Sequence, residues 1–316
     1  MADAASNDLA EVLADVLSAK VVTDVVRLSG GASRDTFRFV ADGRSLILQR
    51  QRSGDLRDMA IEASVVRSVG VAGAPVAQLV ASSSDPSALG SAFMILTAVE
   101  GETIARKILR DEQFAHAREV LPAQMGASLA QVHAVATDGL IALPMLDQVD
   151  QYREVLDQLG QPHPTFELVF KWLEANRPPA RLPVLVHGDF RLGNIIVGEE
   201  GLRAVLDWEL AHLGDPMEDL GWLCVRAWRF GSRLPVAGVG EYDQLFRTYE
   251  AAGGGAVDPD VVRWWEVLGT LKWGIMCIGQ ANTHLIGAAR SHELAAIGRR
   301  VCENEYDLFL ALEGRW

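Results

Sequence analysis

Val184-Leu185-Val186-His187-Gly188-Asp189-Phe190-Arg191-Leu192-Gly193-Asn194-Ile195-Ile196-Val197, continuing through Gly198-Glu199-Glu200-Gly201 to Leu202-Arg203-Ala204-Val205-Leu206-Asp207, is the stretch on which the reading of this chain turns. Ile195–Val197 and Leu202–Leu206 read as two short apolar strands joined by a glycine-bounded turn. A hairpin closed around Glu199 and Glu200 brings Asp207 back alongside Leu192 to Asn194. Asp189, Asn194 and Asp207 then converge at one end of it, although 18 positions separate the first from the last. Carboxylate and amide oxygens of this kind suit a hard cation such as magnesium, with water and phosphate oxygens completing its shell. Phosphoryl transfer needs the same parts: a metal against the phosphates and a carboxylate to receive the acceptor hydroxyl's proton. On this reading Asp189 orients and deprotonates a hydroxyl, and Asn194 and Asp207 hold magnesium. The competing reading is an ordinary hairpin whose Asp and Asn residues serve turns. A histidine, a glycine, two aspartates and an asparagine at this spacing argue against it.

The run resembles the catalytic and metal-binding loops of the aminoglycoside phosphotransferase and choline kinase-like family, relatives of protein kinases. That family's pattern is His-Gly-Asp, four residues, Asn, a hairpin and a second Asp, here His187-Gly188-Asp189, Asn194 and Asp207. The longer string Leu206-Asp207-Trp208-Glu209-Leu210-Ala211-His212-Leu213-Gly214-Asp215-Pro216 is similar to one subgroup, the kinase-like domains associated with acyl-CoA dehydrogenases. The resemblance implies an α+β, protein-kinase-like two-lobe fold. A small, sheet-rich nucleotide-binding lobe would occupy residues 1–100, and a larger, mostly helical catalytic and substrate-binding lobe residues 101–316. It implies ATP, with GTP as an alternative, and Mg2+ as cofactors, and a small-molecule hydroxyl as phosphate acceptor. Subgroup likeness points to a hydroxyacyl or other metabolic hydroxyl compound.

The pattern of elements agrees with this division. Residues 7–19 read as a short amphipathic helix. Thr36–Val40 and Ser45–Arg50 flank Ala41-Asp42-Gly43-Arg44, whose Asp-Gly centre marks a tight hairpin. A helix over 55–69 and an apolar strand over 92–99 follow. Beyond residue 103 the helical pattern dominates, at 111–135, 147–159, 165–176, 216–229, 241–251, 259–287 and 291–313, interrupted by the strands of 184–207. In 216–229, Asp215 reads as the N-cap and Glu218 as its reciprocal partner. Asp219 either caps the same helix or, as the resemblance implies, braces the catalytic loop. His187 reads as a scaffold residue bonded to backbone. Trp264, Trp265 and Trp273 mark 261–290 as a candidate pocket wall, or simply as core.

On the nucleotide side, Leu28-Ser29-Gly30-Gly31-Ala32-Ser33 lies between two strands, where glycines let backbone amides approach phosphates. No Gly-Lys-Ser/Thr follows, so it is not a P-loop; a glycine pair here is either a plain turn or, as the family would have it, a phosphate cover that includes Gly31 and Ser33. Kinase-like folds place a lysine on the third strand, paired to a helical glutamate. This chain has only four lysines (Lys20, Lys107, Lys171 and Lys272) and none from 21 to 106. Arg50, on the strand face of Leu46 and Leu48, is the expected phosphate anchor and Glu62 its partner; a register slipped by one would put Gln49 there instead. The strand Phe93–Glu100, ending at Gly101, resembles the hinge whose backbone meets the adenine.

The chain of 316 residues carries a formal net charge of −13 and shows no basic stripe, which speaks against a nucleic-acid partner. An acidic surface could steer cationic substrates or simply confer solubility. Cys224, Cys277 and Cys302 are widely spaced, odd in number and expected to be reduced core thiols. No apolar run is long enough to suggest a membrane span, and a cytoplasmic location is the expectation. Two further readings stay open: a pseudokinase-type protein that binds nucleotide or metabolite without chemistry, favoured by the missing lysine, and a metal-dependent hydrolase, for which the segment has too few ligands for two metals.

Overall fold

The computed structural model describes residues 2–28, 34–52, 58–140 and 142–315. The Asp42-Gly43 turn is formed with both residues in the left-handed region (φ +47° and +79°), as a two-residue hairpin turn requires. Asp42 accepts hydrogen bonds from the amides of Lys20 and Val21, tying the turn to the preceding segment. The first elements are α1 (Ala2–Leu17), β1 (Val22–Arg27), β2 (Arg34–Ala41), β3 (Arg44–Gln51), α2 (Met59–Val71), β4 (Leu79–Ser83) and β5 (Phe93–Thr97). The five strands form one antiparallel sheet in the order β1-β2-β3-β5-β4.

The two faces of this sheet are covered by different helices. Phe39, Ala41, Leu46, Leu48, Phe93 and Ile95 pack on one face with Leu13 of α1. Met94 and Leu96 point the other way and join Met59, Val65, Val66 and Val69 of α2 in the main core. Period-two alternation therefore sends odd-numbered residues of β3, Ile47 and Gln49, to the α2 side, and Leu46, Leu48 and Arg50 to the α1 side.

The segment leaving β5 reaches the rest of the molecule through Gly101, whose φ is +152°. A Cβ there would lie 2.5 Å from Cγ2 of Ile196, so only glycine admits this approach. Next to it, Glu102 exchanges backbone hydrogen bonds with Val197. There follow α3 (Ala105–Arg110), α4 (Ala115–His133), α5 (Gln148–Leu159) and α6 (Pro164–Ala175). The strand island comprises β6 (Val184–Val186), β7 (Ile195–Gly198), β8 (Gly201–Val205) and β9 (His212–Gly214), paired as β6-β9 and β7-β8. The chain closes with α7 (Met217–Cys224), α8 (Tyr242–Ala251), α9 (Pro259–Leu285), α10 (His292–Gly298) and α11 (Val301–Leu312).

A small antiparallel sheet followed by a mostly helical remainder is the two-lobe α+β architecture expected. Some boundaries differ. The helix expected over 216–229 ends at Cys224 and resumes as a 3-10 turn at Arg226–Arg229. The helix expected over 291–313 is two, broken at Arg299 and Arg300. The short helix α3 was absent from the sequence reading. Cys224 and Cys277 are buried, but Cys302 is exposed, because it sits on the outer side of α11. Trp264 and Trp273 pack into the second apolar cluster with α6 and α9, so their primary role is core. No helix of the described residues is long and apolar enough to cross a membrane.

Candidate active site

The candidate catalytic segment leaves β6 at Val186 and turns at Gly188 (φ +78°), where a Cβ would stand 2.5 Å from the Leu210 carbonyl oxygen. Asp219 of α7, fully buried, accepts hydrogen bonds from the amides of His187 (2.8 Å) and Gly188 (3.0 Å). Its Oδ2 also faces Nε2 of His133 at 3.2 Å, and His133 Nδ1 meets the Tyr249 hydroxyl at 2.8 Å. Burial works against the charge on Asp219. The His133 contact and the His187 amide outweigh it and hold the carboxyl below the ordinary carboxylate range. Asp219 therefore braces the loop and is not a cap for its own helix.

His187 is completely buried. Its Nε2 bonds the Leu206 carbonyl at 2.9 Å, and its Nδ1 accepts from the Asp189 amide at 3.2 Å. Burial lowers its pKa, which suits a neutral scaffold imidazole. On the other side of the loop, Nζ of buried Lys272 donates to the Gly188 carbonyl at 3.2 Å. Lys272 also lies 3.5 Å from Glu218, whose second oxygen meets His212 at 3.0 Å. Glu218 is thus not the capping-box partner of Asp215: it turns inward to this buried pair, while Asp215 Oδ1 accepts from the Met217 amide at 2.9 Å.

Asp189 is held on three sides. Its Oδ1 accepts from Nε1 of Trp222 (2.8 Å) and Nε of Arg191 (3.1 Å), and its Oδ2 from Nδ2 of Asn194 (2.6 Å). Asn194 in turn accepts the Leu206 amide on its backbone oxygen at 2.8 Å, which brings Asp207 to the same end of the β7-β8 pair. The three residues singled out from the sequence are thereby assembled. Asp207 sits at φ +64°, a left-handed conformation that aspartate tolerates better than most residues. Burial, with Glu209 and Asp189 nearby, pushes its carboxyl up to about 6. With its amide nitrogen given to Asp189, Asn194 has its carbonyl oxygen left to offer beside this crowded carboxylate. These are hard oxygen donors in a negative site, and magnesium fits them. Among the described residues no three His, Cys, Asp or Glu side chains gather into a metal cluster of their own. A site built on Asn194 and Asp207 would leave further positions for water and phosphate.

On the nucleotide side, Gly31 and Ser33 lie outside the described residues. The expected pair of Arg50 with Glu62 does not form. Arg50 lies on the α1 face of β3, 3.6 Å from Asp35 and 5.7 Å from the centre of the Phe37 ring. Glu62 of α2 is instead bound by both terminal nitrogens of Arg34, the first residue of β2. Arg34 Nη1 also donates to Oε1 of Gln49 at 3.1 Å, and Nη2 is 3.5 Å from Glu209. Its side chain is buried. Burial opposes its charge, but Glu62, Glu209 and Asp207 raise its pKa further. The sequence contained a signal for this: the Asp42-Gly43 turn pairs Arg34 with Gln51 and Thr36 with Gln49, which puts Arg34 and Gln49 on one face. Trp222, Arg191 and Lys272, which hold the loop, had no such local sign.

Comparison with known proteins gives a consistent result. Acyl-CoA dehydrogenase family member 11 of Gallus gallus is 28% identical over 320 residues, covering 90% of this chain and 40% of that protein. The chain thus spans well under half of that relative. Among solved structures, a candidate aminoglycoside phosphotransferase from Ralstonia eutropha superposes with a TM-score of 0.79 at 22% identity, covering 96% of this chain and 98% of that one. A spectinomycin phosphotransferase in complex with ADP and spectinomycin gives 0.67 at 13% identity, covering 96% and 98%. Both share the fold. Residues 24–265 match the model of the phosphotransferase enzyme family, and the chain belongs to that family.

Proposed function

We propose that the protein is a kinase that transfers the γ-phosphoryl group of a nucleoside triphosphate, with magnesium, to a hydroxyl of a small molecule. The observation that carries this reading is the linked set in which Asn194 donates to Asp189 and, through Leu206, neighbours Asp207. Asp189 accepts the proton of the acceptor hydroxyl as the new oxygen–phosphorus bond forms and the bond to the nucleoside diphosphate breaks. Trp222 and Arg191 fix the direction of its carboxylate. Asn194 and Asp207 would hold the metal, which supplies neutralisation of phosphate charge when bound. Arg34, steadied by Glu62 and Gln49, provides the cation for the phosphates that a strand lysine provides in kinase-like folds. ATP is the first nucleotide to test, with GTP beside it. Likeness to an acyl-CoA dehydrogenase family member favours a hydroxyacyl or related metabolic acceptor over an aminoglycoside.

The reading as a binding protein without chemistry rested on the missing lysine. A buried arginine beside Glu62 offers a cation in its stead and favours the kinase reading. Calorimetric titration of ATP with and without magnesium, on the native chain and on Asp207→Ala, tests the proposal. Magnesium-dependent binding lost in the variant supports it, and no ATP or GTP binding under any condition would sink it.

A further inference from the structure

The chain has a net charge of −13, yet one concavity of about 1200 Å³ is lined by six arginines: Arg106, Arg226, Arg229, Arg233, Arg300 and Arg315. Only two acids line it, Glu303 and Asp307. Arg226 is engaged with Asp307 (3.3 Å) and Arg300 with Glu303 (3.0 Å). Arg229 is turned inward to Glu266 at 2.6 Å. Arg106 and Arg233 are exposed and have no ion pair or hydrogen bond among the described residues. Their charge is available to a ligand.

A chain of buried rings beneath the basin runs from its arginines to the candidate catalytic carboxylate. Trp222 donates to Asp189; its ring lies 5.2 Å from that of Trp228, which lies 4.8 Å from Trp273. Arg191, which also donates to Asp189, stacks 4.9 Å above Trp228. At the far end, Arg300 lies 5.7 Å from the Trp273 ring. Trp228 belongs to the same 3-10 turn as Arg226 and Arg229. Arg106 enters from α3, the first helix after the Gly101 link.

We propose that this basin is a subsite for the acceptor's far end, and that the acceptor is an alcohol bearing phosphate groups there. This rests on the kinase reading for its chemistry, but the site itself is an anion site whatever reaction occurs. Planar guanidinium groups match phosphate oxygens in pairs, which ammonium groups do not. A concave surface of one sign focuses its field and raises the local concentration of counter-ions. An acidic chain that collects arginines in one hollow is not suited to a cationic acceptor at that place. A flat acidic protein surface would not fill the hollow, and its binding is an outcome that the test separates.

The probe is inorganic tripolyphosphate, titrated calorimetrically in magnesium-free, low-salt buffer. Four chains are compared: native, Arg106→Ala/Arg233→Ala, Arg34→Gln/Glu62→Gln, and Arg247→Ala as an exposed-arginine control on α8. The expected result is binding that weakens with salt, falls at least tenfold in the double variant and is unchanged in the other two. Absence of binding, or equal binding in the double variant, overturns the site. Loss in Arg34→Gln/Glu62→Gln would mean that the probe sits with the nucleotide, and also overturns it. If ATP binds nowhere while tripolyphosphate keeps its dependence on Arg106 and Arg233, the kinase reading fails and the anion site stands. In turnover, alcohols offered with and without a terminal phosphate distinguish the acceptor assignment: the phosphorylated member should be preferred, and the double variant should raise its KM with kcat little changed. Preference for the unphosphorylated member, or use of acidic peptides alone, overturns that assignment.

Discussion

Arg34 and Gln49 are diagonal neighbours on one face of the β2-β3 pair, with Nη1 of the arginine 3.1 Å from Oε1 of the glutamine, and the same guanidinium closes on Glu62 of α2. A neutral residue on the third strand and a cation on the second thus form one cluster with Glu62 of α2. The glutamine steadies the arginine, and the charge stays on the α2 side of the sheet, toward Asp207 and Glu209.

From this follows a contrast between two arginines. Arg34→Gln should raise the KM for ATP and lower kcat/KM at least tenfold, whereas Arg50→Gln should leave both within about twofold, since losing a charge-assisted phosphate contact costs about 1.4 kcal/mol or more, and about 1.4 kcal/mol is a factor of ten. Leaving Glu62 buried without its partner costs about 3–5 kcal/mol. Arg34→Gln/Glu62→Gln keeps the fold testable, and Arg34→Ser/Gln49→Lys should recover part of the ATP affinity. Equal damage from Arg50→Gln would transfer the role back to the third strand.

Asp189→Asn should lower turnover by about a hundredfold or more, the usual range for a general base. Magnesium–ATP binding should persist, because the proposed metal donors are Asn194 and Asp207. Single-turnover rates measured beside calorimetric affinity separate the two effects; undiminished turnover would exclude the base role.

Trp222→Phe keeps the ring against Trp228 and removes the N–H that directs Asp189 Oδ1. A hydrogen bond to a charged acceptor contributes about 1.5–3 kcal/mol. Because Arg191 and Asn194 still hold the carboxylate, kcat should fall by roughly three- to tenfold, with the KM for ATP unchanged. A shift in that KM without a change in kcat would contradict the assignment.

Asp219 carries a pH signature. Its folded pKa lies below its unfolded value, so its stabilising contribution is present above the unfolded pKa, about 3.9. It is lost as pH falls through that value to the folded one. Asp219→Asn presents an amide NH2 to one of the His187 and Gly188 amides and should be less stable by about 1–3 kcal/mol at pH 7. Its Tm should also fall less steeply than the native one between pH 5 and about pH 3. Parallel Tm curves for the two proteins would rule out the carboxylate as the source.

The sequence by itself determined much of this protein. The spacing of His187, Gly188, Asp189, Asn194 and Asp207 carried the resemblance to the family that the match over residues 24–265 bears out, and the β7-β8 hairpin returns Asp207 beside Asn194 as that spacing implied. The Asp42-Gly43 turn set the β2-β3 register, since its two central residues adopt a conformation few others tolerate. What only the tertiary structure decided is which face of that hairpin looks where. Alternation divides a strand into two faces, but both Leu46/Leu48 and Ile47 are apolar, so the pattern alone does not say which face α2 covers. Packing of α1 on one side and α2 on the other sends Arg50 outward and Gln49 inward, and leaves Arg34 to meet Glu62. The same holds for the arginine basin, whose members are separated by up to about two hundred positions and share no local signal. Charges so far apart in the chain become one site only when α3, the turn after α7 and α11 are folded against one another, because proximity in space is set by the burial of their apolar neighbours and not by their own order.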